Sequence, residues 1–462
     1  MDKIMIIFQR PDDIKKLLVN GKITVSVYGM GRIGLAIAAT WIRAGAKVIG
    51  VDILPEKINA LNSGKISYPE EKTVEEVLNK ASKNGRLIGL LDGVKASKLS
   101  DVKIVIVPTY ASDKGIDLKA LRDSLLSIGR GLKRGDLVII ESTVPPGTTK
   151  NFALPILEKE SKLKVEEDFG LAYSPERVMV GRALKDIEES YPKIVAGIGE
   201  RSGRAVEALY SVIARKGVIR LSSTTAAEAS KVFEGIYRDL NIALANELAK
   251  LCKALGIDFM EVRKASNSQP YCHLHVPGIG VGGLCIPVYP YFAINVGRQK
   301  NVNLNLVSMA RKINEDMPNY AITLALNALK ELPLKKVKVA VLGLAFRGDI
   351  ADARLSPSYS LVEKLLELSF EVIVHDPLIL KDETLEKLGV ALVSDFNEAV
   401  KGRNLIFLAT DHSYYRREGV TQIANLASKP LVFIDGRNLF VEDSIPKGVY
   451  YISISGRVVK NV

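Results

Sequence analysis

The sequence predicts an α/β protein: two doubly wound parallel-sheet units joined by a long central helix. Three observations predict it. Short β-branched runs alternate with amphipathic segments up to residue 222, one stretch of unbroken helical periodicity follows over 225–255, and the alternation restarts near residue 338. Strands separated by helix-length segments imply parallel neighbours with helices on both faces. At 462 residues the chain is long enough for two or three domains, each with its own core.

A lead-in, residues 1–21, precedes the first unit, residues 22–222. There ITVSVYG (23–29) reads as a strand, 31–44 as a helix and KVIGVD (47–52) as a second strand. Further strands are expected at VKIVIVPT (102–109), DLVIIEST (136–143), FGLAYS (169–174), KIVAGI (193–198) and GVIRLS (217–222), with helices between them. A central helical region is expected over 223–331. From Thr225 to about Leu255 its apolar residues recur at helical spacing around a lone Gly235, and Gly256 supplies a stop. Such a helix is about 45 Å long, which suits a spine between domains or subunits. A second helical stretch covers 304–330. The last unit, 332–462, opens on KVAVLGLAF (338–346) and continues with a helix over 357–369 and strands at EVIVHDP (371–377), NLIFLATD (404–411) and LVFIDGRN (431–438).

Apolar residues make up 47% and charged ones 25%, which excludes a disordered chain. No apolar run reaches the roughly 18–20 residues of a membrane span. The apolar stretch in MDKIMIIFQRPDD is too short for a signal peptide, so a cytoplasmic protein without a membrane partner is expected. Three cysteines without CxxC spacing and four scattered histidines predict neither a disulfide framework nor a metal site. The net charge of +12 is spread among acids, with no basic block interleaved with aromatics, so nucleic acid is not an expected partner. An excess of cations does suit polyanionic small ligands such as nucleotides.

The segment YGMGRIG places Gly29, Met30, Gly31, Arg32, Ile33 and Gly34 between a strand and a helix, and Asp52 ends the next strand 23 residues after Gly29. Glycines there permit a tight turn, close approach of a pyrophosphate and close helix–strand packing, and the helix N-terminus holds the anion. Asp52 would accept from ribose hydroxyls and repel a 2′-phosphate, so this Rossmann-like unit is expected to take NAD rather than NADP. Further on, GVGGLCIPVYPYF (280–292) delivers one thiol, Cys285, from a glycine-rich loop. In a chain that also has a dinucleotide turn, this suggests oxidation through a covalent thioester; the plainer reading is a small buried hydrophobe.

Taken together the motifs resemble the nucleotide-sugar 6-dehydrogenases, the UDP-glucose/GDP-mannose dehydrogenase family, from about residue 23 to 440. STVPPGTT (142–149) is similar to its STVxPGTT loop, AYSPERVMVG (172–181) to its SPERxxxG segment, and Lys231 sits in a match to its AExxK helix, followed by RDLNIALANE (238–247). VLGLAFRGDIADARLSPS (341–358) resembles the opening of the substrate-nucleotide domain, and the wording around Cys285 is nearest the N-acetylhexosamine branch.

The resemblance implies NAD-dependent, four-electron oxidation of a sugar C6 hydroxymethyl to a uronate, on a UDP-N-acetylhexosamine such as UDP-N-acetylmannosamine, feeding polysaccharide or glycan assembly. It implies Cys285 as nucleophile, Lys231 as the cation at the alkoxide and oxyanion, Glu176 as base for the hydrolytic water, and Thr143 as a donor to that water. Thr109 and Thr143 join the cofactor site. Lys231, Gly280, Gly282, Gly283, Arg347 and Arg437 are assigned to the UDP-sugar, guanidinium suiting a diphosphate. Arg354 either joins them or organises its domain through Asp352. Pairing of subunits through the long helix, as a homodimer or higher homo-oligomer, is also implied. The plainer readings are an ion pair of Glu176 with Arg177 and a solvated helix lysine at 231.

Four positions depart from the family pattern: Tyr289 stands where Asp is usual, Gly235 where Asn is expected, Leu284 where the branch has His, and Arg347 where Lys is usual. The first two bear on the hydrolytic half-reaction. They leave a second reading open, a catalytically degenerate paralogue that binds NAD or nucleotide sugar as a regulatory partner. A one-step hydroxyacid dehydrogenase would account for Lys231 but leave Cys285 unused.

Overall fold

The computed structural model describes residues 4–462 except Glu70, Val180 and Lys335; the first three lead-in residues, and Val180 of the segment 172–181, lie outside the described residues. The chain divides into two compact units. One ends at Glu234 and takes in Tyr291–Lys300; the other holds Gly235–Pro290 and Asn301–Val462.

Among the described residues, the first unit contains ten strands: β1 (Thr24–Tyr28), β2 (Lys47–Val51), β3 (Leu87–Leu90), β4 (Val102–Val105), β5 (Tyr110–Ser112), β6 (Gly115–Asp117), β7 (Leu137–Ile140), β8 (Gly170–Tyr173), β9 (Lys193–Gly197) and β10 (Val218–Arg220). Hairpin β5–β6 stands apart, and the others form one sheet in the order β10-β9-β8-β7-β4-β1-β2-β3. Alternate residues feed two cores, as strands covered on both faces require. Val25, Val27, Ile104 and Ile139 pack with Trp41 on one face, while Tyr28, Val105, Val138 and Ile140 pack with Leu121 and Leu125 on the other. Chain order reverses at β1 and β4, and the crevice beyond their carboxyl ends is where doubly wound sheets take ligands.

Two details differ from the sequence expectation. β8 and β9 pair antiparallel, because the link between them holds, among the described residues, only the short helical turns Ala183–Lys185 and Asp186–Ser190 instead of a crossover helix. The strands expected over 102–109 and 136–143 stop at Val105 and Ile140, which leaves Thr109 and Thr143 on loops beyond the sheet.

The second unit carries β11 (Lys338–Leu342), β12 (Glu371–His375), β13 (Ala391–Val393), β14 (Leu405–Leu408), β15 (Leu431–Asp435), β16 (Val449–Ser453) and β17 (Val458–Asn461). Its order is β13-β12-β11-β14-β15-β16-β17, parallel except for the final pair. Thr224–Ala254 is one helix of 31 residues, and the boundary between the compact units falls inside it. It ends as expected: Gly256 takes φ +72° and the Ile257 N–H donates to the Cys252 carbonyl at 3.0 Å. The helical stretch 304–330 is two helices, Asn305–Glu315 and Met317–Lys330, the second opening on Pro318. Among the described residues, no helix is long and apolar enough to cross a membrane.

Candidate active site

In the first unit the dinucleotide turn is built from close backbone approaches. The Gly29 N–H donates to the Val51 carbonyl at 2.8 Å. Gly29 takes φ +100°, and a Cβ there would lie 2.3 Å from the Ile106 carbonyl oxygen. A Cβ on Gly34 would lie 1.8 Å from the Gly29 oxygen, so the helix Arg32–Ala44 can meet β1 only with glycine at that position. Gly31 faces open space and caps that helix without any side-chain hydrogen bond, at the end of a helix where an anion is favoured. Met30 and Ile33 pack inward, and half-buried Arg32 begins the helix. Asp52 closes the site: its Oδ2 accepts from the Met30 N–H at 2.9 Å and pairs with Lys57 at 2.9 Å, and its Oδ1 accepts from the Leu54 N–H at 3.1 Å. These residues fit a dinucleotide: a glycine cradle, an open helix end and a carboxylate at the second strand.

Thr109 and Thr143 are brought together, the Thr109 hydroxyl donating to the Thr143 carbonyl at 2.6 Å. The STVPPGTT loop that bears Thr143 is pinned by Glu228, a residue the sequence reading did not single out. Its buried carboxylate accepts from the Gly147 N–H at 2.5 Å, the Thr149 N–H at 2.7 Å and the Thr149 hydroxyl at 2.6 Å. Half-buried Lys231 lies one turn further along the same helix.

Burial pushes the Glu228 carboxyl up to about 7 against those three donors. Because this folded value lies above the unfolded 4.5, the stabilisation is complete below pH 4.5 and is lost as pH rises through 7. The loss amounts to roughly 3 kcal/mol. A Glu228→Gln variant should therefore show a flatter Tm-versus-pH curve than the parent between those values. Parallel curves for the two proteins would refute this.

Glu176 is buried, and its cation is not Arg177. Its Oε2 pairs with Lys193 at 3.0 Å, while its Oε1 accepts the Arg177 backbone N–H at 2.6 Å. The Arg177 guanidinium instead pairs with Glu234 at 3.0 Å and stacks on Tyr191. The adjacent-ion-pair reading of Glu176 is thereby corrected.

In the second unit Cys285 is exposed, so the buried-hydrophobe reading does not hold. Gly280 and Gly283 take φ +137° and +85°. Cβ atoms on Gly282 and Gly283 would lie 2.6 and 2.8 Å from Phe346, so the loop rests directly on that ring. The Gly283 N–H donates to the Arg354 carbonyl at 2.9 Å, and the Cys285 carbonyl accepts from Val288 and Tyr289. Arg354 pairs with Asp352 through two hydrogen bonds of 2.8 and 2.5 Å. Half-buried Arg347 follows Phe346, and Arg437 donates to the Phe346 carbonyl at 2.8 Å. Leu284 lines a cavity of about 550 Å³ with Arg354, Leu355, Tyr359 and Asp382.

The motif RDLNIALANE has a structural explanation here. Asp239 pairs with buried Arg311 at 2.5 Å, Asn246 bonds Asn314 at 2.9 Å, and Asn246 also accepts from the Gly278 N–H at 2.8 Å. The glycine loop is thus tethered to the long helix within this unit. Gly235 and Tyr289 are in contact: a Cβ at 235 would lie 2.6 Å from the Tyr289 ring.

The fold and the turn define a dinucleotide-binding protein. The chain belongs to the UDP-glucose/GDP-mannose dehydrogenase family: the family's NAD binding domain matches residues 23–214, its central domain 225–316 and its UDP binding domain 340–442. It is 36% identical to a UDP-N-acetyl-D-mannosamine dehydrogenase of Pyrococcus horikoshii, over 91% of this chain and 97% of that protein. It is 34% identical to a UDP-N-acetyl-D-glucosamine 6-dehydrogenase of Pseudomonas aeruginosa, over 91% and 97%. A solved structure of a UDP-D-ManNAc dehydrogenase from Pyrococcus horikoshii superposes with a TM-score of 0.85 at 34% identity, covering 94% of this chain and 99% of that one.

Proposed function

We propose that the protein oxidises the C6 hydroxymethyl of a UDP-N-acetylhexosamine, UDP-N-acetylmannosamine first among them, to the uronate, for polysaccharide or glycan assembly. The observation that supports this most is an exposed thiol, Cys285, on a glycine loop in an NAD-dependent family member. Gly29–Gly34, Asp52, Thr109 and Thr143 hold NAD, which when bound accepts one hydride in each of two oxidations. Lys231 stabilises the alkoxide as C6 becomes an aldehyde. The Cys285 sulfur then adds to that carbonyl carbon, giving a thiohemiacetal; loss of the second hydride and the hydroxyl proton leaves a thioester. Glu176 takes a proton from water as the water attacks, and the carbon–sulfur bond breaks to give carboxylate and thiol. Thr143 orients the water. Lys231, Gly280, Gly282, Gly283, Arg347 and Arg437 bind the UDP-sugar.

We keep the domain limits 22–222, 223–331 and 332–462, a cytoplasmic setting and a homo-oligomer as parts of this reading. The last is supported by an exposed apolar stripe on the long helix, Tyr237, Leu244 and Leu251, continued by Leu255 just past its end. The contact of Tyr289 with Gly235 favours the rival reading, a binding protein without turnover. A screen of UDP- and GDP-sugars with NAD separates the two. NADH formation with a UDP-N-acetylhexosamine is expected; thermal stabilisation by these ligands with no NADH across the whole panel would establish the rival.

A further inference from the structure

Behind Glu176 lies a group of charges in the first unit that folding alone does not require. Lys193, the first residue of β9, places its ammonium 3.0 Å from Glu176 and 3.2 Å from Glu141, the residue that follows β7. Lys193, Glu141 and Glu176 are 6%, 1% and 8% exposed. The Tyr210 hydroxyl, from the helix Glu200–Ile213, donates to the other Glu141 oxygen, and the Lys193 ammonium sits over the Tyr210 ring at 5.1 Å. Arg177 contributes its N–H to Glu176, and Tyr191, ahead of β9, bonds the Arg177 carbonyl. Fully ionised, the group would bury one cation and two anions. Buried ion clusters are often matched or bettered in stability by apolar residues of similar size, so their presence calls for a use.

We propose that Lys193 and Glu141 are positioning residues for Glu176. Lys193 fixes the direction of the Glu176 carboxylate, and Glu141, held by Tyr210, competes for the same ammonium and so sets how firmly Glu176 is neutralised. This rests on Glu176 being the hydrolytic base assigned above. A carboxylate that has a cation to itself is a weaker base, and one that must share it is stronger. Burial pushes the Glu141 carboxyl up to about 7, with Lys193 opposing. Below that pH Glu141 is neutral and Lys193 serves Glu176 alone; above it Glu141 is an anion and draws Lys193 away. Hydrolysis of the thioester should accordingly quicken as pH rises through about 7.

The test follows decay of the acyl group on Cys285 by mass spectrometry in single turnovers with UDP-N-acetylmannosamine and NAD, across this pH range. The parent enzyme should show a rise of roughly threefold or more. Glu141→Gln, a near-isosteric change, should hold the low-pH rate throughout with the sugar KM unchanged. Tyr210→Phe should move the midpoint upward, since Glu141 loses a donor. A Glu141→Gln enzyme that keeps the parental rise, with only its Tm lowered, overturns the positioning role and leaves Glu176 as base. A Glu176→Gln enzyme that decays at the parental rate removes the base assignment instead, and the positioning roles with it.

Discussion

A Cys285→Ala enzyme should lose uronate formation by at least about a thousandfold, because in the proposed mechanism the thiol adduct is what turns the aldehyde into a second hydride donor. Its stability should stay within about 0.5 kcal/mol of the parent, since the side chain is exposed and the loop is held by backbone groups of Gly283 and Cys285. Thermal stabilisation by NAD and UDP-sugar should also persist. The measurement is uronate by chromatography beside Tm with and without ligands. An alanine variant that still makes uronate at near-parental rate would remove the thiol from the mechanism.

The second large effect lies at Gly235. A Cβ there would come within 2.6 Å of the Tyr289 Cδ2 and 3.0 Å of its Cβ, and Tyr289 is only 9% exposed. The ring has little room to yield because it is buried, and its backbone is held by the Tyr289 N–H donating to the Cys285 carbonyl at 3.0 Å. Helix propensity alone predicts that Gly235→Asn stabilises by a few tenths of a kcal/mol. Overpacking predicts a loss of about 1–3 kcal/mol, and it wins. The collision also pushes on the turn that carries Cys285, so product formation should fall by roughly tenfold or more. Pairing Gly235→Asn with Tyr289→Asp removes the ring and should restore stability while raising product formation. A double-mutant cycle should show coupling above about 1 kcal/mol, as expected for touching residues. Additive effects would mean the two positions are independent.

Features governed by nearby residues were readable from the sequence. Gly29, Gly34 and Asp52 are such a case, since each answers to the backbone a few residues away or to the next strand. So is the helix Thr224–Ala254, whose periodicity and glycine stop are local properties. The antiparallel β8–β9 pair was not readable, because two short strands look the same whichever way the second one enters the sheet. Glu228 stood in the AExxK match but was given no role, for another reason: its partners lie 79 and 81 residues earlier in the chain. Lys193 and Glu141 are 52 apart, and a lone lysine and a lone glutamate at strand ends give no sign of each other. Tyr289 and Gly235 did signal one another as paired departures, and contact between them is what the structure supplies.

The yield of NADH per sugar bears most directly on the proposed two-stage oxidation at Cys285. Limiting UDP-N-acetylmannosamine taken to completion with excess NAD should give two NADH and one uronate for each sugar. One NADH per sugar with free aldehyde in solution would contradict it.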